Sequence, residues 1–118
     1  MIWQVKYSLS KLSKMEFITN EKDISPKGDI VYYFYANWMP YHKKMVDILN
    51  KMKEKHNCVK FEAIDVDFFK NTIKRFNIAS LPTIVIFKND REVRRIVGVP
   101  MTSAVRAILN DIFDKKIE

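Results

Sequence analysis

The spacing of apolar positions predicts a series of strands. The segment Ile30–Ala36 is apolar or aromatic at every position, which is typical of a strand buried on both faces of a parallel sheet. Apolar runs with partial alternation predict further strands at 59–66, 82–87 and 92–97. An earlier strand is predicted over Ile2–Leu9, where apolar and polar residues alternate.

Helical spacing predicts the segments between these strands. Apolar residues recur at i, i+3, i+4 and i+7 from about Pro40 to His56, and again in a last helix that begins near Thr102. Asp67 is suited to cap a helix between them. A short helix is predicted over Lys14–Asn20, before the first long strand.

The predicted order is therefore β-α-β-α-β-α-β-β-α. A β-α-β beginning requires parallel strands with crossover connections, and the closing hairpin adds antiparallel ones. We expect an α/β fold with a mixed five-stranded central sheet flanked by four helices, in three layers. The whole chain, residues 1–118, is expected to be a single domain.

Composition narrows the function. The chain contains a single cysteine, Cys58, which excludes a disulfide framework and a cysteine-rich zinc site. We predict neither a metal nor another cofactor. A single cysteine fits a reducing compartment, and no apolar stretch has the length of a signal peptide or of a membrane span. A cytoplasmic protein without membrane contact is the expectation.

The charge of the chain is strongly basic. Twenty-one Lys and Arg against fourteen Asp and Glu give a net charge of +7. A solvated, lysine-rich surface is the favoured interpretation, because the basic residues are spread along the chain. A weak preference for acidic partners or nucleic acid stays open as the alternative.

Segments at the joints of the predicted order resemble the thioredoxin family. They comprise the strand and tryptophan before the family's active site, its helix lysine, the end of its third strand, the segment with its cis-proline and its last hairpin. In this chain they are Val31–Trp38, Lys43, Ala63–Asp65, Phe76–Thr83, Phe87–Asp90 and Val97–Gly98. The resemblance covers residues 30–113. Over residues 1–29 the first strand, helix and turn match only in outline.

The chain departs from the family where the chemistry lies. The family has Cys-Gly-Pro-Cys after its tryptophan, and this chain has Met39–Pro40–Tyr41–His42. The resemblance places Met39 at the attacking thiolate, His42 at the resolving thiol and Tyr33 at the buried aspartate that relays protons. A thioether cannot attack a disulfide as a thiolate does. We therefore expect a non-catalytic, peptide- or protein-binding adaptor or chaperone-like module.

The resemblance also implies a binding surface. In the family, the residue before the cis-proline offers its backbone to an extended peptide, a form of strand addition. Trp38 and Met39 are expected to be exposed at its rim, and the Leu81–Pro82 peptide bond is expected to be cis. The expected binding residues are Trp38, Met39, Tyr41, Ser80, Leu81, Pro82 and Gly98.

Three other interpretations stay open. One is a thioredoxin-type oxidoreductase with residual or monothiol activity through Cys58, serving cell redox homeostasis. Cys58 is expected to be buried or half-buried, about 20 Å from Met39 at the helix rise of 1.5 Å per residue. Another is an enzyme activity built on His42, although packing or binding is the favoured role of that side chain. The third is a spliceosome-type thioredoxin-fold scaffold, which the run Trp38–Met39–Pro40 also resembles.

Overall fold

The structure, a computed structural model, describes residues 14–114. Five strands, three α-helices and one 3₁₀ turn follow one another along this part of the chain. They are β1 (Glu16–Phe17), the 3₁₀ turn (Glu21–Asp23), β2 (Ile30–Tyr35), α1 (His42–Lys55), β3 (Lys60–Asp65), α2 (Lys70–Arg75), β4 (Thr83–Lys88), β5 (Arg91–Val97) and α3 (Thr102–Phe113). None of the helices in the described range is both long and apolar enough to cross a membrane.

The five strands form one mixed sheet in the order β1-β3-β2-β4-β5. Strands β1 and β2 run parallel to β3, whereas β4 is antiparallel to both of its neighbours. The mixed five-stranded sheet predicted from the sequence is therefore confirmed. Its order brings the end of β2 beside the beginning of β4, so the loops after β2 and before β4 meet at one end of the sheet.

Strand β2 occupies the centre, and all six of its residues are buried. Its side chains alternate between two helical layers. Tyr32 packs against Phe76, just after α2, with ring centroids 5.3 Å apart. Tyr35 stacks on His42 of α1 on the other face at 4.4 Å. Helix α3 contacts α1 on that same face, so the layers follow the predicted three-layer arrangement.

The helix predicted over Lys14–Asn20 is wrong. Glu16 and Phe17 form strand β1 and pair with β3, so tertiary pairing overrides the local helical pattern. Asn20 instead caps the 3₁₀ turn, because its side-chain oxygen accepts the N–H of Lys22 at 3.0 Å. Residues 14–114 therefore contain three α-helices rather than four. The strand predicted over Ile2–Leu9 lies outside the described residues.

One carboxyl group is buried in the sheet without full compensation. Glu62 of β3 lies between Glu16 and Tyr32 in the strand register, and it is almost completely buried. Its Oε1 atom has no hydrogen-bond partner. Burial, together with repulsion from Glu16, raises the pKa of Glu62 above its usual range. The folded state is therefore destabilised by the ionised form of this side chain.

We expect Glu62→Gln to stabilise the fold at neutral pH. A raised pKa in the folded state gives a stability contribution that is complete below the ordinary value of 4.5 and is lost as the pH rises through the raised value. The variant should gain about 1–3 kcal/mol in free energy of unfolding at pH 7, because it replaces a buried charge by a neutral amide, and an uncompensated buried charge costs at least this much. Urea denaturation across the pH range measures this gain.

The gain should shrink as the pH falls from the raised pKa to 4.5 and should be lost below 4.5, because the wild-type carboxyl is then protonated in both states. Glu54→Gln, on the exposed face of α1, is the control and should show no such trend. A gain that is independent of pH would mean that charge burial is not its cause.

Candidate functional site

An apolar groove of about 260 Å³ opens at the end of the sheet where β2 ends and β4 begins. Three loops contribute to it, one after β2, one before β4 and one after β5. Its lining residues are Trp38, Met39, Pro40, Tyr41, Leu81, Pro82 and Val99. The structure thus brings together most of the binding residues expected from the sequence, in one concave site.

The first wall of the apolar groove is the loop between β2 and α1. Two successive turns shape it, because the Met39 N–H donates to the Ala36 carbonyl at 3.1 Å and the His42 N–H donates to the Met39 carbonyl at 3.4 Å. The helix then begins at His42, not near Pro40 as expected. The reason is that the backbone up to His42 is engaged in these two turns. The helical hydrogen bonds start with the Met45 N–H, which donates to the carbonyl of Tyr41, the N-cap residue, at 3.0 Å.

The second wall is the segment before β4. The Leu81–Pro82 peptide bond is cis. The Pro82 carbonyl accepts the N–H of Gly98 at 2.8 Å, which ties this segment to the end of β5. Thr83 Oγ1 donates to the Ser80 carbonyl at 2.6 Å. Ser80 and Gly98 therefore hold the wall in place rather than line the apolar groove.

The backbone of Leu81 keeps free hydrogen-bonding capacity. Among residues 14–114, neither its N–H nor its carbonyl has a hydrogen-bond partner. Gly98 adopts a φ of +88°, a conformation that favours glycine, and this allows the chain to turn away from β5 beside the apolar groove. An extended segment can therefore reach the Leu81 backbone without displacing an internal bond.

Exposure divides the lining residues into rim and floor. Trp38 is 73% exposed, Tyr41 55% and Val99 50%, so these three form the rim. Met39 is only 9% exposed, and the expectation that it is exposed is wrong. Its side chain joins the hydrophobic core and forms the floor. Val99 was not among the predicted site residues, although an apolar residue directly after the turn glycine was a usable signal.

A hydrogen bond between Tyr33 and His42 lies beneath the loop. The Tyr33 hydroxyl and His42 Nδ1 are 3.0 Å apart. The rings of Tyr33, Tyr35 and His42 are nearly parallel, with interplanar angles of 9° to 15° and the closest centroids, Tyr35 and His42, 4.4 Å apart. The two positions that the resemblance assigns to a buried aspartate and a resolving thiol are thus occupied by a hydrogen-bonded, stacked pair.

Burial controls the protonation of this pair. It raises the pKa of Tyr33, with a further contribution from Tyr35, so the phenol stays protonated. Burial also lowers the pKa of His42, against the opposing effect of the Asp65 carboxylate. At neutral pH a neutral imidazole that carries its proton on Nε2 can therefore accept a hydrogen bond from the Tyr33 hydroxyl at Nδ1. Such a pair fixes side-chain positions and does not generate a nucleophile.

Polar groups at the end of the adjacent strand β3 form hydrogen bonds that hold the neighbouring loops together. Asp65, at the end of β3, accepts the side-chain amide of Asn37 at 3.0 Å and the N–H of Asp67 at 2.9 Å. These bonds connect the loop after β2 to the loop after β3. In the range 14–114 no group of three His, Cys, Asp or Glu side chains could hold a metal ion.

Cys58 lies far from the apolar groove. It follows the carboxyl end of α1, so the helix His42–Lys55 separates it from the loop, a distance of roughly 20 Å at 1.5 Å per residue. Its thiol is exposed, whereas the sequence suggested a buried or half-buried one. The chain leaves α1 at His56, and the side chain of Cys58 turns outward to Asn57 Oδ1 at 3.5 Å.

Comparison with known proteins agrees with this geometry. The thioredoxin family profile matches residues 8–111 of the chain. The chain belongs to the thioredoxin family. It is 33% identical to thioredoxin H2 of Arabidopsis thaliana over 94 residues, which are 80% of this chain and 68% of that protein. It is 27% identical to a thioredoxin of Mycobacterium bovis over 108 residues, 91% of each protein.

A solved structure supports the same fold. The oxidised form of mitochondrial thioredoxin 3 from Saccharomyces cerevisiae superposes with a TM-score of 0.71 at 26% identity, over 82% of this chain and 94% of that one. In this thioredoxin-family chain, the loop that follows β2 contains no cysteine, since Cys58 is the only one in the sequence.

We predict that His42 titrates below its ordinary pKa of 6.5. Desolvation beneath the loop disfavours the imidazolium. The imidazolium would also be unable to accept the hydrogen bond from the Tyr33 hydroxyl. An NMR titration of the ring protons measures the midpoint, and the His42 signal is the one that disappears in His42→Gln. Tyr33→Phe should shift the midpoint because the bond to Nδ1 is lost. A midpoint at or above 6.5 in the wild type would contradict this account of the pair.

Introducing cysteines at positions 39 and 42 should give weak thiol–disulfide exchange. The Met39–His42 turn brings the two positions together, so Met39→Cys/His42→Cys should form an intramolecular disulfide under mild oxidation. Insulin reduction should be measurable but slower than that of a thioredoxin with two active-site cysteines. Position 39 is buried, and Tyr33, whose pKa is raised, cannot relay a proton as a carboxylate can.

The matched control is Met39→Ser/His42→Ser, which makes similar changes in size without a thiol. If the two introduced thiols do not pair, then positions 39 and 42 do not correspond to the family's redox pair.

Proposed function

We propose that this thioredoxin-family protein is a non-catalytic binding module that holds an extended apolar segment of a partner protein in the apolar groove. The observation that carries the proposal is the groove itself. It combines an aromatic rim, an apolar floor and the free backbone of Leu81, and none of its lining residues carries a thiol. Binding an extended segment needs these features, whereas disulfide exchange needs a thiolate.

The size and composition of the groove favour a peptide side chain over a large ligand. Pockets for small molecules usually measure roughly 300–1,000 Å³, and this groove of about 260 Å³ is smaller. Tryptophan and tyrosine are enriched among the residues that dominate binding energy at protein interfaces. Trp38 and Tyr41 lie at the rim, where Trp38 exposes most of its surface and Tyr41 about half. An adaptor or chaperone-like role follows from this chemistry.

The cellular setting is part of the proposal. A cytoplasmic location agrees with a chain whose single cysteine leaves no pair for an internal disulfide. Peptide binding through backbone and apolar contacts does not depend on the redox state of that compartment.

A second candidate is a thioredoxin-type oxidoreductase with residual or monothiol activity. Two observations favour it, the names of the thioredoxin relatives and the exposure of Cys58. In such a reaction the Cys58 thiolate would attack a partner disulfide, and an external thiol would then have to resolve the mixed disulfide. The chain would act as a redox protein at the end of the molecule opposite to the apolar groove.

Trp38→Ala should weaken the binding of an unfolded apolar peptide by about tenfold or more, the effect expected for an interface hot spot. A fluorescent peptide of Ser and Gly with central Leu residues is a suitable probe, and anisotropy reports its affinity. Leu81→Asp should weaken binding as well, because a carboxylate enters the apolar wall.

The matched control is Val93→Ala, which removes an exposed apolar side chain of β5 that does not line the groove. Equal affinity of Trp38→Ala and wild type would refute the proposal. Insulin reduction by dithiothreitol separates the second candidate, since acceleration that is lost in Cys58→Ser would establish a monothiol activity.

A further inference from the structure

The exposed apolar side chains of the described residues are concentrated at the end of the sheet that holds the apolar groove. Phe17 and Val93 lie on the edge strands β1 and β5, and the other six lie in the loops that follow β2, β3 and β5, or at the last residue of β5. These six residues are Trp38, Tyr41, Phe68, Val97, Val99 and Met101. The apolar surface therefore continues beyond the groove on both sides. A partner segment that extends past the groove can contact this surface.

The charges around this surface are distributed unevenly. The loops 77–82 and 98–103 contain no charged residue at all. The loop after β3 carries Asp67, which Lys70, the first residue of α2, offsets. On the Tyr41 side of the groove, where α1 begins, the lysines outnumber the one carboxylate that acts on His42, that of Asp65.

The start of α1 is positive for two independent reasons. Its first turn has no acidic residue, and its second and third residues are the exposed Lys43 and Lys44. The ion pairs found among residues 14–114 involve neither lysine, and the nearest acidic residue along the helix, Asp47, lies a turn further on. The amino-terminal end of the helix adds the positive end of its macrodipole.

These charges lie within reach of a segment bound in the apolar groove. Lys43 and Lys44 follow the groove residue Tyr41 by two and three positions, which is about 3–5 Å along the helix axis. A lysine side chain spans that distance. A carboxylate placed next to the rim residue Tyr41 would therefore lie beside Lys44, three positions further on the same helix face, and beside the helix end, while Lys43 adds positive charge from a different face of the same turn.

We propose that the partner segment bound in the apolar groove carries acidic residues directly beside its apolar anchor, and that Lys43 and Lys44 select it. The inference rests on the proposed function, because it specifies the chemistry of the segment that the groove holds. The apolar anchor provides the contact with Trp38, and the acidic flank fixes the direction in which the segment lies. Segments with a basic flank are disfavoured by the same charges.

Three peptides that share a central Leu pair and differ only in their flanks test the proposal. One flank contains Glu, one Ser and one Lys, and affinities are measured by anisotropy at low and at high ionic strength. At low ionic strength the Glu peptide should bind about two- to fivefold more tightly than the Ser peptide for each ion pair formed. The Lys peptide should bind least tightly, and high ionic strength should reduce the differences.

Charge reversal at the helix start gives the decisive comparison. Lys43→Glu/Lys44→Glu should remove or invert the preference for the Glu peptide. The control Lys27→Glu/Lys51→Glu changes the net charge equally at exposed positions away from the groove and should keep the preference. Circular dichroism verifies that both variants are folded.

The outcomes separate this inference from the proposed function. If all three peptides bind equally and binding still requires Trp38, the charge selection is wrong and the binding module stands. An equal effect of both double variants would mean that only the net charge matters, which also overturns the inference. If no peptide binds, both proposals fail.

Discussion

The central strand β2 is buried on both faces, so a polar atom on it is satisfied only by a partner inside the protein, and within residues 14–114 the Tyr32 hydroxyl has none. The Tyr33 hydroxyl meets this constraint through His42, at 3.0 Å. An unsatisfied group at that depth would cost about 1–3 kcal/mol. The bond joins the sheet to the first residue of α1, where the backbone turns before His42 start the helix. It ties the end of the loop between β2 and α1, one wall of the apolar groove, to the sheet beneath it.

The sequence predicted the sheet and the long helices because their signals are strong and local. An uninterrupted apolar run such as Ile30–Ala36 has few alternatives to a buried strand, and the periodic spacing along α1 has one apolar face. The residues Trp38, Tyr41, Leu81 and Pro82 were assigned to the site from the family's motifs, and the structure assembles them around one groove.

Errors arose where tertiary contacts decide the outcome. Strand β1, residues 16 and 17, is too short to give a clear periodic signal, and it forms by pairing with the edge of β3. The exposure of Met39 was misjudged because the turn before α1, invisible to periodicity, directs the side chain into the core. The Tyr33–His42 bond joins residues of different elements, so no pattern along the chain could predict it.

The Tyr33–His42 bond also limits how sequences of this type can change. Replacing His42 alone removes the acceptor of a buried hydroxyl, and replacing Tyr33 alone leaves a space beside two stacked rings. A single step toward a cysteine at position 42 therefore costs stability before any second thiol exists to make use of it. Substitutions at these two positions are interdependent, and a mutational path from this loop to a dithiol centre passes through less stable intermediates.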